Sequence, residues 1–268
     1  MPNVKLPTGV DLYYESHGQG EPLIFVPSTA YSGEVWKPSQ MPLAQSLNII
    51  FHDPRGCGRS VANQNVYTIE QMAADIVALM DHLKISSAHL LGHSMGGRIA
   101  LCLTQNFPGR VKSLIMAASG SGPAARSGSD CITGLPHRLV VDMVEMGFEK
   151  FVRHEVCDSD TFFTKDYRDR HPDKVQEFFK LFWATHAKLP EFVHLCIARH
   201  NWEGTHRLGD VKAPTLVVDR RRQTRSGATT WRSRSVGEAH PWRRAQSSER
   251  AIARFLLASA GRDQRLDS

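Results

Sequence analysis

Ala88-His89-Leu90-Leu91-Gly92-His93-Ser94-Met95-Gly96-Gly97-Arg98-Ile99-Ala100 joins a short apolar run to a helical pattern through a glycine turn built around one serine. Ala88 to Leu91 predicts a strand, and Gly96 to Phe107 predicts a helix that stops near Pro108-Gly109. In Gly-x-Ser-x-Gly the serine occupies a strained turn between strand and helix. Glycines two residues to either side, here Gly92 and Gly96, remove side chains that would clash there. A serine hydroxyl is a weak nucleophile until a base takes its proton and the chain presents it clear of the backbone. The turn meets the second need, so Ser94 is read as a nucleophile. The following helix aims its first N–H groups at the site, which favours developing negative charge. Met95 would give one of them to an oxyanion hole. The competing reading is an ordinary N-cap serine.

The same alternation extends outward. Val10 to Tyr14 predicts an early strand, followed by the turn Gly18-Gln19-Gly20. Leu23 to Val26 and Asn48 to Phe51 are continuous apolar runs, as strands buried on both faces should be. Ile69, Met72, Ala73, Ile76, Leu79, Met80 and Leu83 mark one helical face, and Thr68 with Gln71 three residues on is a capping-box signature. Val111 to Ala118 is again strand-like. Strands alternating with helices predict an α/β fold with a mostly parallel sheet flanked by helices. After Ser119-Gly120-Ser121-Gly122-Pro123 the strand rhythm stops, and the chain to about Leu208 reads as helices rich in aromatics. The expected organisation is a core at 1–124, an inserted helical cap at 125–208, and the rest of the core at 209–268. In that last part Lys212 to Val218 predicts a strand and Ser248 to Ala258 a helix.

Composition sets further bounds. A chain of 268 residues with 41% hydrophobic residues can bury a sizeable core. The first nine residues hold no signal-like apolar run, and no stretch reaches the length of a membrane span. The chain is therefore read as soluble and cytoplasmic, with no membrane partner. Five cysteines, an odd number without metal-ligand spacing, read as reduced thiols. Cys57, in a glycine turn, is read as buried rather than reactive. The net charge of +6 has a local origin: between Asp219 and Ser247 eight arginines face only Asp219 and Glu238, a surplus equal to that of the whole chain. With only Trp231 and Trp242 beside them, these arginines lack the elements a nucleic-acid surface needs, so no nucleic-acid partner is expected.

Gly92-His93-Ser94-Met95-Gly96-Gly97, with Asp53-Pro54-Arg55-Gly56-Cys57-Gly58-Arg59-Ser60 upstream, resembles the α/β-hydrolase superfamily of esterases, lactonases and related enzymes. The resemblance covers about residues 10 to 120, then 213 to 218 and the terminal helix. It implies a histidine base on a late loop, and His240 in Gly237-Glu238-Ala239-His240-Pro241 is the only histidine after His206. It also implies an acid after the strand ending at Val218, where the family pattern falls on Gln223. Asp219 is the nearest carboxylate and is taken as the orienting acid. Glu238 lies too close to His240 in sequence. After Leu23 to Val26 the family's His-Gly pair is replaced by Pro27-Ser28, which puts Thr29 at the second oxyanion donor. A backbone N–H needs no particular side chain. Trp36 is read as packing under that loop, Asp53 and Arg55 as pinning a turn, and His93 as a packing residue.

The resemblance implies a serine hydrolase that cleaves a small carboxylic ester or lactone through an acyl-enzyme, with no metal or organic cofactor. The aromatic cap, Trp183 and Phe179 in particular, points to an apolar substrate, although such rings also form a lid's own core. The same elbow fits a cofactor-free haloperoxidase or perhydrolase, or a carbon–carbon bond hydrolase. A third reading is an impaired hydrolase fold that binds a small ligand without turnover. It draws on residues 219–247, whose arginine and serine bias resembles translation in a shifted reading frame. On that account the last strand and its covering helix are lost, a sheet edge is exposed, and residues 220–234 cannot repay the entropy of ordering.

Overall fold

The structure is a computed structural model that describes residues 3–62, 67–123, 135–220 and 231–232, and only the backbone of 135–140, 219–220 and 231–232. Nine strands among these residues form one sheet: β1 (Asn3–Lys5), β2 (Val10–His17), β3 (Glu21–Val26), β4 (Leu47–His52), β5 (Val61–Ala62), β6 (Ala88–His93), β7 (Val111–Ala117), β8 (Thr215–Arg220) and β9 (Trp231–Arg232). The order is β1-β2-β4-β3-β6-β7-β8-β9, with β5 beside β2. β4, β3, β6, β7 and β8 run parallel, and the antiparallel pairs lie at the two sides. This is the α/β architecture that the alternating pattern predicts.

The apolar runs explain why the centre is parallel. Leu23, Ile24, Phe25 and Val26 are each 0% exposed, because helices or loops cover both faces of β3. Successive residues point to opposite faces. Ile24 and Val26 join a large core with Leu90, Ile99 and Leu103, whereas Leu23 and Phe25 join a smaller one with Ile49, Phe51, Leu91 and Ile115. α2 (Ile69–His82) lays Ile69, Met72, Ile76 and Leu79 into the large core. Both halves of its capping box form: the Gln71 N–H donates to Thr68 Oγ1 at 3.1 Å and the Thr68 N–H to Gln71 Oε1 at 3.1 Å. α3 (Met95–Asn106) packs beside it, and a short helical turn, α1 (Lys37–Gln40), falls between β3 and β4 in the chain.

Between β7 and β8 the described chain is helical: α4 (Leu135–Met146), α5 (Phe148–Arg153), α6 (Lys165–Arg170), α7 (Pro172–Thr185) and α8 (Leu189–Asn201). The expected helix from Ser248 lies outside the described residues. At the sheet edge the expectation of no order across 220–234 is corrected at three positions. β9 pairs antiparallel with β8, Asp219 opposite Arg232 and Arg220 opposite Trp231. An open strand edge presents unpaired N–H and C=O groups to any extended backbone, whatever its side chains. Among the described residues no helix is long and apolar enough to cross a membrane.

Candidate active site

Ser94 stands between β6 and α3 with φ 52° and ψ −115°. This is far from the extended backbone of an ordinary N-cap, and its hydroxyl makes no capping bond to the helix. Its main chain is pinned instead. The Ser94 N–H donates to the Ala117 carbonyl at 2.9 Å, and the Ser94 carbonyl accepts from Gly97 N–H at 3.0 Å and from Ser119 Oγ at 2.6 Å. The turn is possible only without side chains around it. A Cβ on Gly96 would drive into the Val26 and Pro27 carbonyl oxygens, and one on Gly92 into the Gly96 carbonyl. The strain of a non-glycine residue at positive φ is held by these contacts, and the half-buried hydroxyl is left at the carboxyl edge of the sheet.

The loop after β3 lies against that turn. Tyr31 N–H donates to the Ser28 carbonyl at 3.2 Å, closing a turn with Thr29 and Ala30 at its centre and Ala30 at φ 65°. Both central residues are buried, and the Thr29 N–H makes no turn or cap hydrogen bond among the described residues. The helical stretch holds the loop from above. Ala187 N–H donates to the Ala30 carbonyl at 3.1 Å, Ser32 Oγ to Thr185 Oγ1 at 2.7 Å, and Arg199 Nη1 to Thr29 Oγ1 at 3.4 Å.

Aromatic rings line the space between loop and helices. Tyr31 meets Phe182 edge-on at 4.7 Å and stacks on Phe162 at 5.8 Å. His186 lies 4.6 Å from Phe182 and 6.2 Å from Trp183, and its Nδ1 is 2.6 Å from the Ala187 carbonyl. Burial lowers the His186 pKa to about 4, partly offset by that bond, so the ring is neutral at pH 7 and Nδ1 carries the hydrogen. Trp183 is half-buried, stacked at 6.4 Å on Phe179, which is itself buried under the Arg153 guanidinium. Burial raises the Tyr31 pKa and lowers that of His93.

Several residues read from sequence have clear surroundings. His93 packs between Tyr31 and Trp36, 6.1 Å from each ring, and Trp36 lies 5.3 Å from Phe25 under the loop. The Asp53 carboxylate accepts from Gly33 N–H and from Arg59 N–H and Nε, each at 2.9 Å. Arg55 makes a two-pronged pair with Asp75 at 2.8 and 2.7 Å, both side chains buried. Cys57 is sealed in, and burial, with Asp53 and Glu191 nearby, pushes its thiol pKa up, which leaves it inert at pH 7. Met95 is buried at the start of α3, one residue from Ser94. Asp219 follows Val218, whose carbonyl accepts from Ala118 N–H at 2.7 Å, so its backbone sits one strand from the elbow. Only its backbone is described, and His240 lies outside the described residues. Tyr31, His186 and Arg199 were not singled out in the sequence. They come from three separate segments, and no local spacing joins them. Among the described residues no three His, Cys, Asp or Glu side chains converge as metal ligands would.

A strand-to-helix elbow with a strained serine, at the carboxyl edge of a parallel sheet, defines a class of fold, and the comparisons agree. The alpha/beta hydrolase fold family matches residues 21–222, and the chain belongs to that family. It is 34% identical over 117 residues to "Putative carbamate hydrolase RutD" of Caulobacter sp. (strain K31), covering 42% of this chain and 44% of that protein. It is 35% identical over 112 residues to "Putative non-heme bromoperoxidase BpoC" of Mycobacterium tuberculosis, covering 41% and 42%. The chain thus matches less than half the length of these curated relatives. Among solved structures, the enol-lactonase from Burkholderia xenovorans LB400 superposes with a TM-score of 0.67 at 25% identity, over 81% of this chain and 80% of that one.

Proposed function

We propose that this chain is a serine hydrolase that cleaves a small carboxylic ester or lactone through an acyl-enzyme at Ser94. The carrying observation is the Ser94 backbone at φ 52°, with a hydroxyl that caps nothing. In the reaction Ser94 Oγ attacks the acyl carbon and its proton passes to His240, which Asp219 orients. The Met95 and Thr29 N–H groups hold the oxyanion, the alcohol leaves with the proton from His240, and water releases the acid. Residues 125–208 act as a cap whose rings accept an apolar substrate, Trp183 meeting it and Phe179 backing Trp183. The relatives' names support an acyl carbonyl as the target, since a carbamate and an enol-lactone both present one. No metal or organic cofactor enters the reaction.

The bromoperoxidase name of the mycobacterial relative favours one second reading, a cofactor-free perhydrolase working from the same elbow. A fluorophosphonate probe on the purified chain tests the activated serine common to both. Labelling is expected in the wild type and lost in Ser94→Ala, and it falls sharply in His240→Ala. A folded wild type that takes no label favours a protein that binds without turnover. Comparing ester hydrolysis with peroxyacid formation then separates the two chemistries.

A further inference from the structure

Arg199 is a charged residue of this site that ordinary ester hydrolysis does not use. It lies in the last turn of α8, and its main-chain carbonyl accepts from Arg98 in the first turn of α3, a single helical turn beyond Ser94. Its side chain reaches the loop after β3, where Nη1 meets Thr29 Oγ1 at 3.4 Å. Arg199 therefore ties α3 through its carbonyl and places its guanidinium against the loop that carries Thr29. A guanidinium has five N–H donors and strongly prefers an anionic acceptor. Among the described residues Arg199 has a single long bond to a neutral hydroxyl and no carboxylate in ion-pair range. By contrast Arg55, Arg59, Arg110, Arg168 and Arg207 each have an acidic partner. The residue as a whole is half-buried. A guanidinium set against the loop that carries Thr29, on a residue whose carbonyl is tied to the Ser94 helix, is suited to a negative group.

We infer that Arg199 binds a carboxylate on the substrate, so that the preferred ester or lactone is a half-acid rather than a neutral molecule. The inference rests on the hydrolase reading for the word substrate, and its test does not require turnover. In Ser94→Ala, calorimetric titration compares monomethyl glutarate, which carries one carboxylate and one ester, with neutral dimethyl glutarate. Monomethyl glutarate is expected to bind at least about tenfold more tightly, the usual worth of a charge-assisted hydrogen bond. Adding Arg199→Met should erase that preference, and Arg199→Lys should restore part of it, since it keeps the charge but not the fork. Equal binding of the two ligands, binding of neither, or a preference that survives Arg199→Met would each overturn the proposal. Thermal melts of the variants show whether a lost preference reflects lost folding. A melting point that falls in Arg199→Met with the preference intact leaves only a structural tether. If Arg199-dependent binding is found but the wild type takes no fluorophosphonate label, the hydrolase reading fails and the subsite stands. Labelling without the preference is the reverse.

Discussion

In the sheet body the polar groups that hold the chain pair between segments, as Arg55 does with Asp75 and the Asp53 carboxylate with Gly33 N–H, each pair 20 positions apart in sequence. In the helices from Leu135 to Asn201 the corresponding work falls to rings, Phe148 on Phe192 at 5.5 Å and Phe178 on Phe182 at 5.8 Å. A bidentate ion pair has one good geometry, whereas ring contacts tolerate many distances and angles. The difference teaches that the sheet body fixes where Ser94 stands, and that the helical part can change its lining without disturbing it.

Substitution at the elbow should give the largest effect. Gly96→Val places a side chain where the Val26 and Pro27 carbonyls already stand, so a loss of at least about 4 kcal/mol is expected in urea denaturation. A variant that folded with normal stability would show the elbow to be looser than the sheet around it. Next comes the buried pair. Arg55→Met leaves the Asp75 carboxylate buried alone and should cost about 3–5 kcal/mol, while Arg55→Met with Asp75→Leu should recover most of that. Failure of the double variant to recover would mean that the pair's geometry, and not its charge balance, supports the turn.

Each region also carries a histidine that burial takes to a similar pKa, which compares them directly. Burial lowers the pKa of both His52, in β4, and His186, between α7 and α8, to about 4. Above about pH 6.5 both are neutral whether folded or unfolded. Below it the unfolded chain gains protons that the folded chain refuses, so stability falls from about pH 6.5 to about 4 and then levels off. At 1.36 kcal/mol per pH unit, each site removes about 2–3 kcal/mol across that window. His52→Leu and His186→Phe should each flatten the decline by about one proton. At pH 7 each substitution forfeits one ring hydrogen bond, His52→Leu that to the Phe25 backbone and His186→Phe that to the Ala187 carbonyl, so similar small losses are expected.

Much of the sheet body was legible because its signals are periodic and local. The apolar run at Leu23 to Val26, the helical face from Ile69, and the glycines at 92 and 96 each encode one conformation within a few residues. The site was legible only in part. Ser94, Met95 and Thr29 are fixed by the turns they sit in. Arg199 matters through a contact with a loop more than 150 positions earlier in the sequence, and His186 through rings as far back as Phe148, and no spacing carries that information. The same limit applies to the proposed proton relay. Residues 219–247 have Val236 as their only branched aliphatic residue, so no periodic burial pattern fixes where His240 falls.

The smallest expected effect returns to a feature read directly from sequence. Thr68→Ala removes the reciprocal cap of α2, whose next three turns are locked in the core by Met72, Ile76 and Leu79. The helix cannot fray to relieve the orphaned Gln71 N–H without lifting those side chains from their contacts, so the loss should be about 1 kcal/mol. Thr164→Ala removes a similar bond, Tyr167 N–H to Thr164 Oγ1 at 3.3 Å, from α6. That helix buries none of its six residues, and its freed N–H can turn to water. A loss of about 0.5 kcal/mol or less is expected. Equal losses in chemical denaturation would mean that α6 is held as firmly as α2, and the contrast between ion-paired sheet body and ring-packed helices would have to be given up at that point.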